Sequence, residues 1–69
     1  MTYRILLVGC GNVGSRHLQA LLKIPYNLKI DIIEPKNSSK KLALSRLQEI
    51  SYNNKTKIIN WHNCYTSKI

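Results

Sequence analysis

The stretch VGCGNVGSRH, residues 8–17, contains all the glycines of this 69-residue chain: Gly9, Gly11 and Gly14. A glycine weakens the helix or strand that it interrupts by about 0.5 to 1 kcal/mol relative to alanine. The spacing G-x-G-x-x-G is typical of a turn that leads from a buried strand into an amphipathic helix. The three glycines therefore indicate that this turn requires a specific backbone conformation or close backbone contacts.

The segments on either side of the glycines predict a strand and a helix. YRILLV, residues 3–8, is short, apolar and ends at a glycine, which is typical of a strand buried on both faces. After the glycines, apolar side chains recur at helical spacing until Pro25 ends the helix. This stripe consists of Val13, His17, Leu18, Leu21, Leu22 and Ile24. We therefore expect His17 to be packed or hydrogen-bonded, and a role for it near a cofactor stays open.

The rest of the chain repeats this order. LKIDIIE, residues 28–34, predicts a second strand, and NSS after Pro35 offers N-cap side chains for a helix over residues 40–50. The apolar stripe of that helix is Ala43, Leu47 and Ile50. TKIINW, residues 56–61, predicts a third, weaker strand. The resulting β-α-β-α-β order predicts an α/β fold, namely the first half of a Rossmann-type, doubly wound parallel sheet.

The charge of the chain is strongly positive but evenly spread. Eleven Lys and Arg residues against three Asp and Glu residues give a net charge of +8, which is compatible with an anionic partner. Only Lys40 and Lys41 are adjacent, so a dedicated nucleic-acid surface is not expected. Trp61 and the tyrosines are dispersed, and we expect them to be packing groups at edges rather than a base-stacking platform.

The cysteines and histidines do not follow a known metal-binding pattern. Cys10, His17, His62 and Cys64 are suitable ligand types for zinc, but their spacing matches no finger or knuckle, so no metal site is expected. The absence of a CxxC pair favours a reducing, intracellular setting. No segment approaches the ~18 apolar residues of a transmembrane helix, so we expect a cytoplasmic protein without a membrane partner.

Each glycine can be given a physical role in binding a dinucleotide. Gly9 would permit the tight turn, Gly11 would leave room for a pyrophosphate, and Gly14 would let the helix pack closely on the strand. The free N–H groups around Asn12 and Val13, with the positive end of the helix dipole, would face the phosphates. Two alternatives are a turn without a ligand and a methyltransferase loop of the form acidic-x-G-x-G-x-G. In the second case the third glycine falls one place too late.

The second strand ends at the acidic residue that such a site requires. Glu34 lies where a ribose hydroxyl of the adenosine is expected, and it favours NAD over NADP because a 2′-phosphate would bring like charge close. Lys36, Lys40 and Lys41 follow closely enough to neutralise that phosphate. The expected cofactor is therefore NAD or NADP, with NAD favoured.

The segment ILLVGCGNVGSRHLQAL, residues 5–21, together with IDIIEP, residues 30–35, resembles the start of the Gfo/Idh/MocA family (glucose-fructose oxidoreductases and inositol dehydrogenases). In that family a histidine follows the last glycine by three residues, as His17 follows Gly14 here. The resemblance covers essentially the whole chain but only the first part of such a protein. It implies an NAD(P)-dependent oxidoreductase that acts on sugars, cyclitols or related small molecules.

The chain also departs from that family. The family's further strands, its E-K-P lysine and its substrate domain are not found here, so we assign no catalytic residue and expect residues 1–69 to be a truncated NAD(P)-binding domain. We expect such a chain to be a weakly stable monomer or to self-associate through its exposed first strand. The alternative is a non-enzymatic nucleotide-sensing or basic interaction module. The candidate cofactor-binding residues are Gly9, Cys10, Gly11, Asn12, Val13, Gly14 and Glu34.

Overall fold

Strands and helices alternate along residues 1–64, the part of the chain that the computed structural model describes. The elements are β1 (Thr2–Val8), α1 (Asn12–Leu22), β2 (Asn27–Ile33), α2 (Asn37–Leu47) and β3 (Lys57–His62). The strands are parallel and lie in the spatial order β1-β2-β3. The predicted α/β class and β-α-β-α-β order are confirmed. Of the aromatic residues considered above, Tyr65 lies outside the described residues.

The core lies between the sheet and the two helices. Leu28, Ile30 and Ile32 alternate along the central strand and are buried on one of its faces. They form one apolar cluster with Leu18 and Leu22 of α1, Ala43 of α2 and Cys10. Both helices therefore cover the same face of the sheet, which is what two right-handed crossovers in one direction require.

Helix α1 buries part of the apolar stripe that its sequence predicts, together with two polar residues. Its buried residues are Ser15, Leu18, Gln19 and Leu22, whereas Val13 is 65% exposed. The helix packs against α2 as well as the sheet, and the Gln19 side chain donates a hydrogen bond from Nε2 to the Arg46 carbonyl oxygen at 2.7 Å. Polar residues are buried at this second contact, so an apolar stripe alone does not identify the inner face.

The sequence predicts a packed or hydrogen-bonded His17, but this residue is not buried. His17 is exposed and lies in an open groove with Leu7, Ala20, Leu21 and Ile24. The groove runs beside the edge of β1 that pairs with no strand among residues 1–64. Of the stripe predicted to face the core, Leu18 and Leu22 do so, and Leu21 and Ile24 are partly buried against it, whereas Val13 and His17 are exposed.

The sequence of β1 is typical of a strand buried on both faces, but only one face is covered here, in agreement with the expectation of an exposed first strand. Val8 is 71% exposed, and Leu6 is exposed on the same face, because the helices cover only the other side of the sheet. On the covered side, Ile5 and Leu7 are partly buried against the core. At the start of the strand, the rings of Tyr3 and Tyr26 meet edge to face with centroids 5.4 Å apart, as expected for packing groups at an edge.

A polar pair lies on the face of the sheet away from the helices. Asp31 of β2 is buried, and its Oδ1 lies 2.9 Å from Nε2 of His62 on β3. The hydrogen bond from His62 lowers the pKa of Asp31, against the opposite effect of burial, and Asn60 adds a further hydrogen bond. The polar positions in LKIDIIE therefore face away from the core.

Helix α2 begins and ends differently from its prediction. The N-cap residue is Lys36, and no side chain makes a capping hydrogen bond, so the expectation that NSS supplies the cap is wrong. The backbone N–H of Lys36 instead donates to the Glu34 carboxylate at 3.0 Å. The helix ends at Leu47, and Ile50 packs against the core from the turn that follows. Within residues 1–64, no helix is long and apolar enough to cross a membrane.

We expect the 69-residue chain to be weakly stable as a monomer or to self-associate, because β1 has an open apolar face and an unpaired edge. Sedimentation velocity and melting curves over a hundredfold concentration range measure this. Leu6→Thr removes exposed apolar area from β1 and should shift the equilibrium toward monomer. Ile58→Thr, on the same face of β3 but away from that edge, is the matched control. Cooperative melting of a monomer at a concentration-independent temperature would contradict the expectation.

We also expect Asp31 to make folding acid-sensitive. A carboxyl whose folded-state pKa is lowered stabilises the fold above its unfolded pKa of about 3.9, and this contribution disappears as pH falls through the folded pKa. Asp31→Asn should cost about 1.5 to 3 kcal/mol at pH 7 and reduce the loss of stability between pH 5 and 2. Urea unfolding at several pH values measures both effects, and an identical pH dependence in the variant would contradict them.

Candidate functional site

The turn between β1 and α1 folds back onto the end of β2. Gly9 has φ +84°, in the left-handed region that favours glycine. Its backbone N–H donates to the Ile33 carbonyl oxygen at 2.8 Å. The tight turn expected at Gly9 is therefore present, and the first residue of the turn is hydrogen-bonded to the neighbouring strand.

Close packing explains the glycine at position 14. A Cβ on Gly14 would overlap the carbonyl oxygen of Gly9 and lie 3.1 Å from its carbonyl carbon. Both atoms belong to the backbone, so neither can move aside as a flexible side chain would. The first turn of α1 can lie this close to the Gly9 peptide only because residue 14 has no side chain.

Packing does not explain the glycine at position 11. Gly11 is the N-cap of α1, with φ −81°, and a Cβ there would meet only Ser39 Oγ at 3.7 Å, an ordinary van der Waals distance. Within the described part of the chain, no neighbour excludes a side chain at this position. Gly11 therefore differs from Gly14, because the fold itself requires a glycine at position 14.

The first turn of α1 presents unpaired backbone donors. The first helical hydrogen bond runs from the Ser15 N–H to the Gly11 carbonyl oxygen at 2.9 Å. Among residues 1–64, the N–H groups of residues 11–14 have no acceptor. The first turn also has no acidic residue. The positive end of the helix dipole is thus not neutralised by a side chain of its own turn, an arrangement suited to an anion.

The Asn12 side chain is held by α2, and that of Val13 is apolar. Arg46 of α2 donates to the Asn12 side chain, Nη2 to Oδ1, at 2.6 Å, and also to its backbone carbonyl oxygen. Another hydrogen bond runs from Arg46 Nη1 to Ser15 Oγ at 2.8 Å. The exposed Val13 side chain has no polar group. Val13 therefore offers only its backbone N–H group, whereas Asn12 also has the Nδ2 amide donors, which the contact with Arg46 does not use.

Cys10 is directed into the protein. Its side chain is fully buried, and its backbone N–H donates to Glu34 Oε1 at 2.7 Å. Burial raises the pKa of the thiol, and the negative charge of Glu34 raises it further. The thiol is therefore un-ionised and unreactive at neutral pH. This environment fits the interpretation of Cys10 as a small residue that fills the turn.

Glu34 lies directly after β2, beside the glycine turn. It is 7% exposed, and each of its carboxylate oxygens accepts a backbone hydrogen bond, from Cys10 at 2.7 Å and from Lys36 at 3.0 Å. These two donors, Cys10 first, lower the pKa of Glu34 against the effect of burial. Sequence reasoning placed Glu34 at the end of the strand, but it did not predict the contact with the glycine turn.

The lysines that follow Glu34 are not equivalent. Lys36 and Lys41 are exposed, whereas Lys40 Nζ lies 5.5 Å from the centroid of the Trp61 ring. This cation–π contact holds Lys40 against β3. Two of the three candidate lysines thus remain solvent-exposed near the start of α2.

Arg46 and Ser39 are neighbours of the glycine turn that sequence reasoning missed. They lie on opposite ends of α2 and reach α1 only through the packing of the two helices. A sequence separation of about 30 residues leaves no spacing pattern from which these contacts could be recognised.

The zinc-ligand types do not come together in this part of the chain. His62 is hydrogen-bonded to Asp31, while Cys10 and His17 lie in the separate environments described above. No group of three or more His, Cys, Asp or Glu side chains suited to a metal ion occurs among residues 1–64.

Comparisons of the chain with protein-family models, with curated proteins and with solved structures find no match.

Proposed function

We propose that this chain binds NAD or NADP through the turn at residues 9–14, as the N-terminal part of a Gfo/Idh/MocA-like oxidoreductase that acts on sugars or cyclitols. The observation that carries the proposal is the row of unpaired N–H groups at residues 11–14, at the start of a helix whose first turn has no acidic residue. A pyrophosphate would accept hydrogen bonds from these groups and interact favourably with the helix dipole.

Gly11 supports the same proposal. Because packing leaves room for a Cβ at this position, the glycine is explained by the close approach of a ligand to the backbone. Gly9 and Gly14 shape the turn, and Asn12 and Val13 supply N–H groups. Cys10 contributes indirectly, since its side chain fills the space beneath the turn.

The adenosine part of the cofactor would lie beside Glu34. Ribose hydroxyls would donate to the carboxylate oxygens, which retain further lone pairs beyond those used by Cys10 and Lys36. A 2′-phosphate would instead meet the negative charge. Lys36 and Lys41 oppose this effect only in part, so we propose NAD as the preferred cofactor. The free thiols of Cys10 and Cys64 are consistent with a reducing, cytoplasmic setting.

A non-enzymatic role is the second candidate. Each of the three side-chain carboxylates is engaged: Asp31 by His62, Glu34 by backbone donors, and Glu49 by Arg16 at 3.3 Å. Most of the chain's positive charge therefore has no carboxylate partner, as would suit a nucleotide sensor or a basic interaction module. Binding that weakens steeply with salt and does not depend on Gly11 would favour this role.

Gly11→Ala is expected to weaken NAD binding at least tenfold, about 1.4 kcal/mol, because its Cβ would occupy the space next to the N–H groups. Calorimetric titration measures the dissociation constant. Since the new Cβ meets only Ser39 Oγ, the unfolding free energy should change by less than about 1 kcal/mol. NAD at a hundred times its dissociation constant should stabilise the parent chain by about 2.7 kcal/mol.

Gly14→Ala is the matched comparison, since the same substitution is made within one turn. There the Cβ overlaps backbone atoms of Gly9, so this variant should have a lower free energy of unfolding than the parent chain even without ligand. Equal NAD affinity in the Gly11→Ala and parent chains would contradict the proposed site.

The 69-residue chain is expected to show no dehydrogenase turnover. Hydride transfer requires nicotinamide, substrate and a proton donor to be held together, and this chain supplies residues only for the adenosine and pyrophosphate part of the cofactor. The measurement is NADH formation with a panel of polyols and cyclitols at millimolar concentration. Turnover by the purified chain, absent in Gly11→Ala, would contradict the expectation.

A further inference from the structure

We propose that Glu34 is a positioning residue for the glycine turn: its carboxylate holds the turn in the shape that presents the N–H groups of residues 11–14. The inference rests on the proposed function. It assigns Glu34 a task that is independent of the ribose, whereas a residue that only contacted ribose would leave the turn unaffected.

The Glu34 carboxylate lies between two connections of the fold. The connections from β1 to α1 and from β2 to α2 meet at Glu34, whose Oε1 accepts from Cys10 and whose Oε2 accepts from Lys36. A third hydrogen bond joins the Gly9 N–H to the Ile33 carbonyl oxygen. Two successive peptides of the glycine turn are thus bound to the end of β2.

The Cys10 N–H depends on Glu34 for its hydrogen bond. Cys10 is fully buried, and the Glu34 carboxylate is the acceptor of its backbone N–H. Without that acceptor, a buried donor would remain unpaired, and the turn would have to rearrange to reach water or another acceptor. Because Gly9, with φ +84°, has the backbone freedom to rotate this peptide, the turn at residues 9–11 is the segment that would change.

The fixed position of the Glu34 carboxylate also affects selectivity between the two dinucleotides. A carboxylate that is hydrogen-bonded on both oxygens and is 7% exposed cannot rotate away from an approaching anion. Its negative charge is therefore fixed near the adenosine ribose of a bound dinucleotide. A free 2′-hydroxyl can share the remaining lone pairs, whereas a 2′-phosphate cannot.

Inorganic pyrophosphate separates positioning from direct contact. It has no ribose, so Glu34 can affect its binding in only two ways, and these have opposite signs. Loss of a nearby negative charge would strengthen the binding of an anion, whereas loss of the held turn would weaken it. The sign of the change thus reports which effect dominates.

The experiment compares the full 69-residue chain with Glu34→Gln and Glu34→Asp. Glu34→Gln retains the size of the side chain but places an amide donor where two acceptors are needed. Glu34→Asp retains the charge but shortens the reach by one methylene. We expect both variants to bind pyrophosphate and NAD about tenfold more weakly than the parent chain. Without ligand, the Cys10 amide hydrogen should exchange at least tenfold faster in both variants than in the parent. Glu49→Gln, which removes the same charge from the pair with Arg16, should change neither quantity by more than about twofold.

A pH titration of the parent chain adds a readout that simple loss of stability would not change. In the folded chain, the Cys10 amide NMR signal should shift with protonation of the Glu34 carboxyl, whose pKa is lowered. In Glu34→Gln this titration should disappear.

Unchanged amide hydrogen exchange at Cys10 in a folded variant would overturn the positioning role. Unchanged or tighter pyrophosphate binding in both variants would also overturn it. A parent chain that binds neither pyrophosphate nor NAD, but shows the expected exchange differences, would instead overturn the proposed function and leave the contact between Glu34 and the turn intact.

Discussion

The rest of the structure depends on the close contact between the first turn of α1 and the Gly9 peptide. Because residue 14 has no side chain, the helix begins directly above the end of β1. This places Leu18 and Leu22 over the central strand, where they complete the apolar cluster with Ile30 and Ile32. A larger residue at position 14 would displace the helix from the sheet. Both the turn and the core therefore depend on this one contact.

The contact between the helices has a different chemistry from the contact with the sheet. Ser15 and Gln19 are buried polar residues, and both are hydrogen-bonded to Arg46. Among the described residues, no buried side-chain nitrogen or oxygen lacks a partner. A small sheet with helices on one face thus combines an apolar layer with a fully paired polar seam, and the seam determines how α1 is rotated about its axis.

The sequence contains local signals for the order of the elements and for the glycine turn. Apolar runs that end at Gly9 and Pro35 bound two strands, and the spacing of Gly9 and Gly14 predicts the close approach that is observed. The orientation of α1 could not be predicted, because it depends on hydrogen bonds to Arg46, a residue distant in sequence. The same reason applies to the Glu34 carboxylate: its position after β2 is a local property, but its contact with Cys10 exists only once β1 and β2 are paired.

The Asp31–His62 pair limits what can cover the open face of the sheet. Leu6 and Val8 provide an exposed apolar surface on this face, and the carboxylate lies on the same face of the central strand. A purely hydrocarbon layer placed over it would remove water from the remaining lone pairs of Asp31 without replacing the lost hydrogen bonds. A well-matched layer must therefore carry a hydrogen-bond donor at one defined point. The pair thus sets the register of any covering layer, a property that apolar contacts alone would not provide.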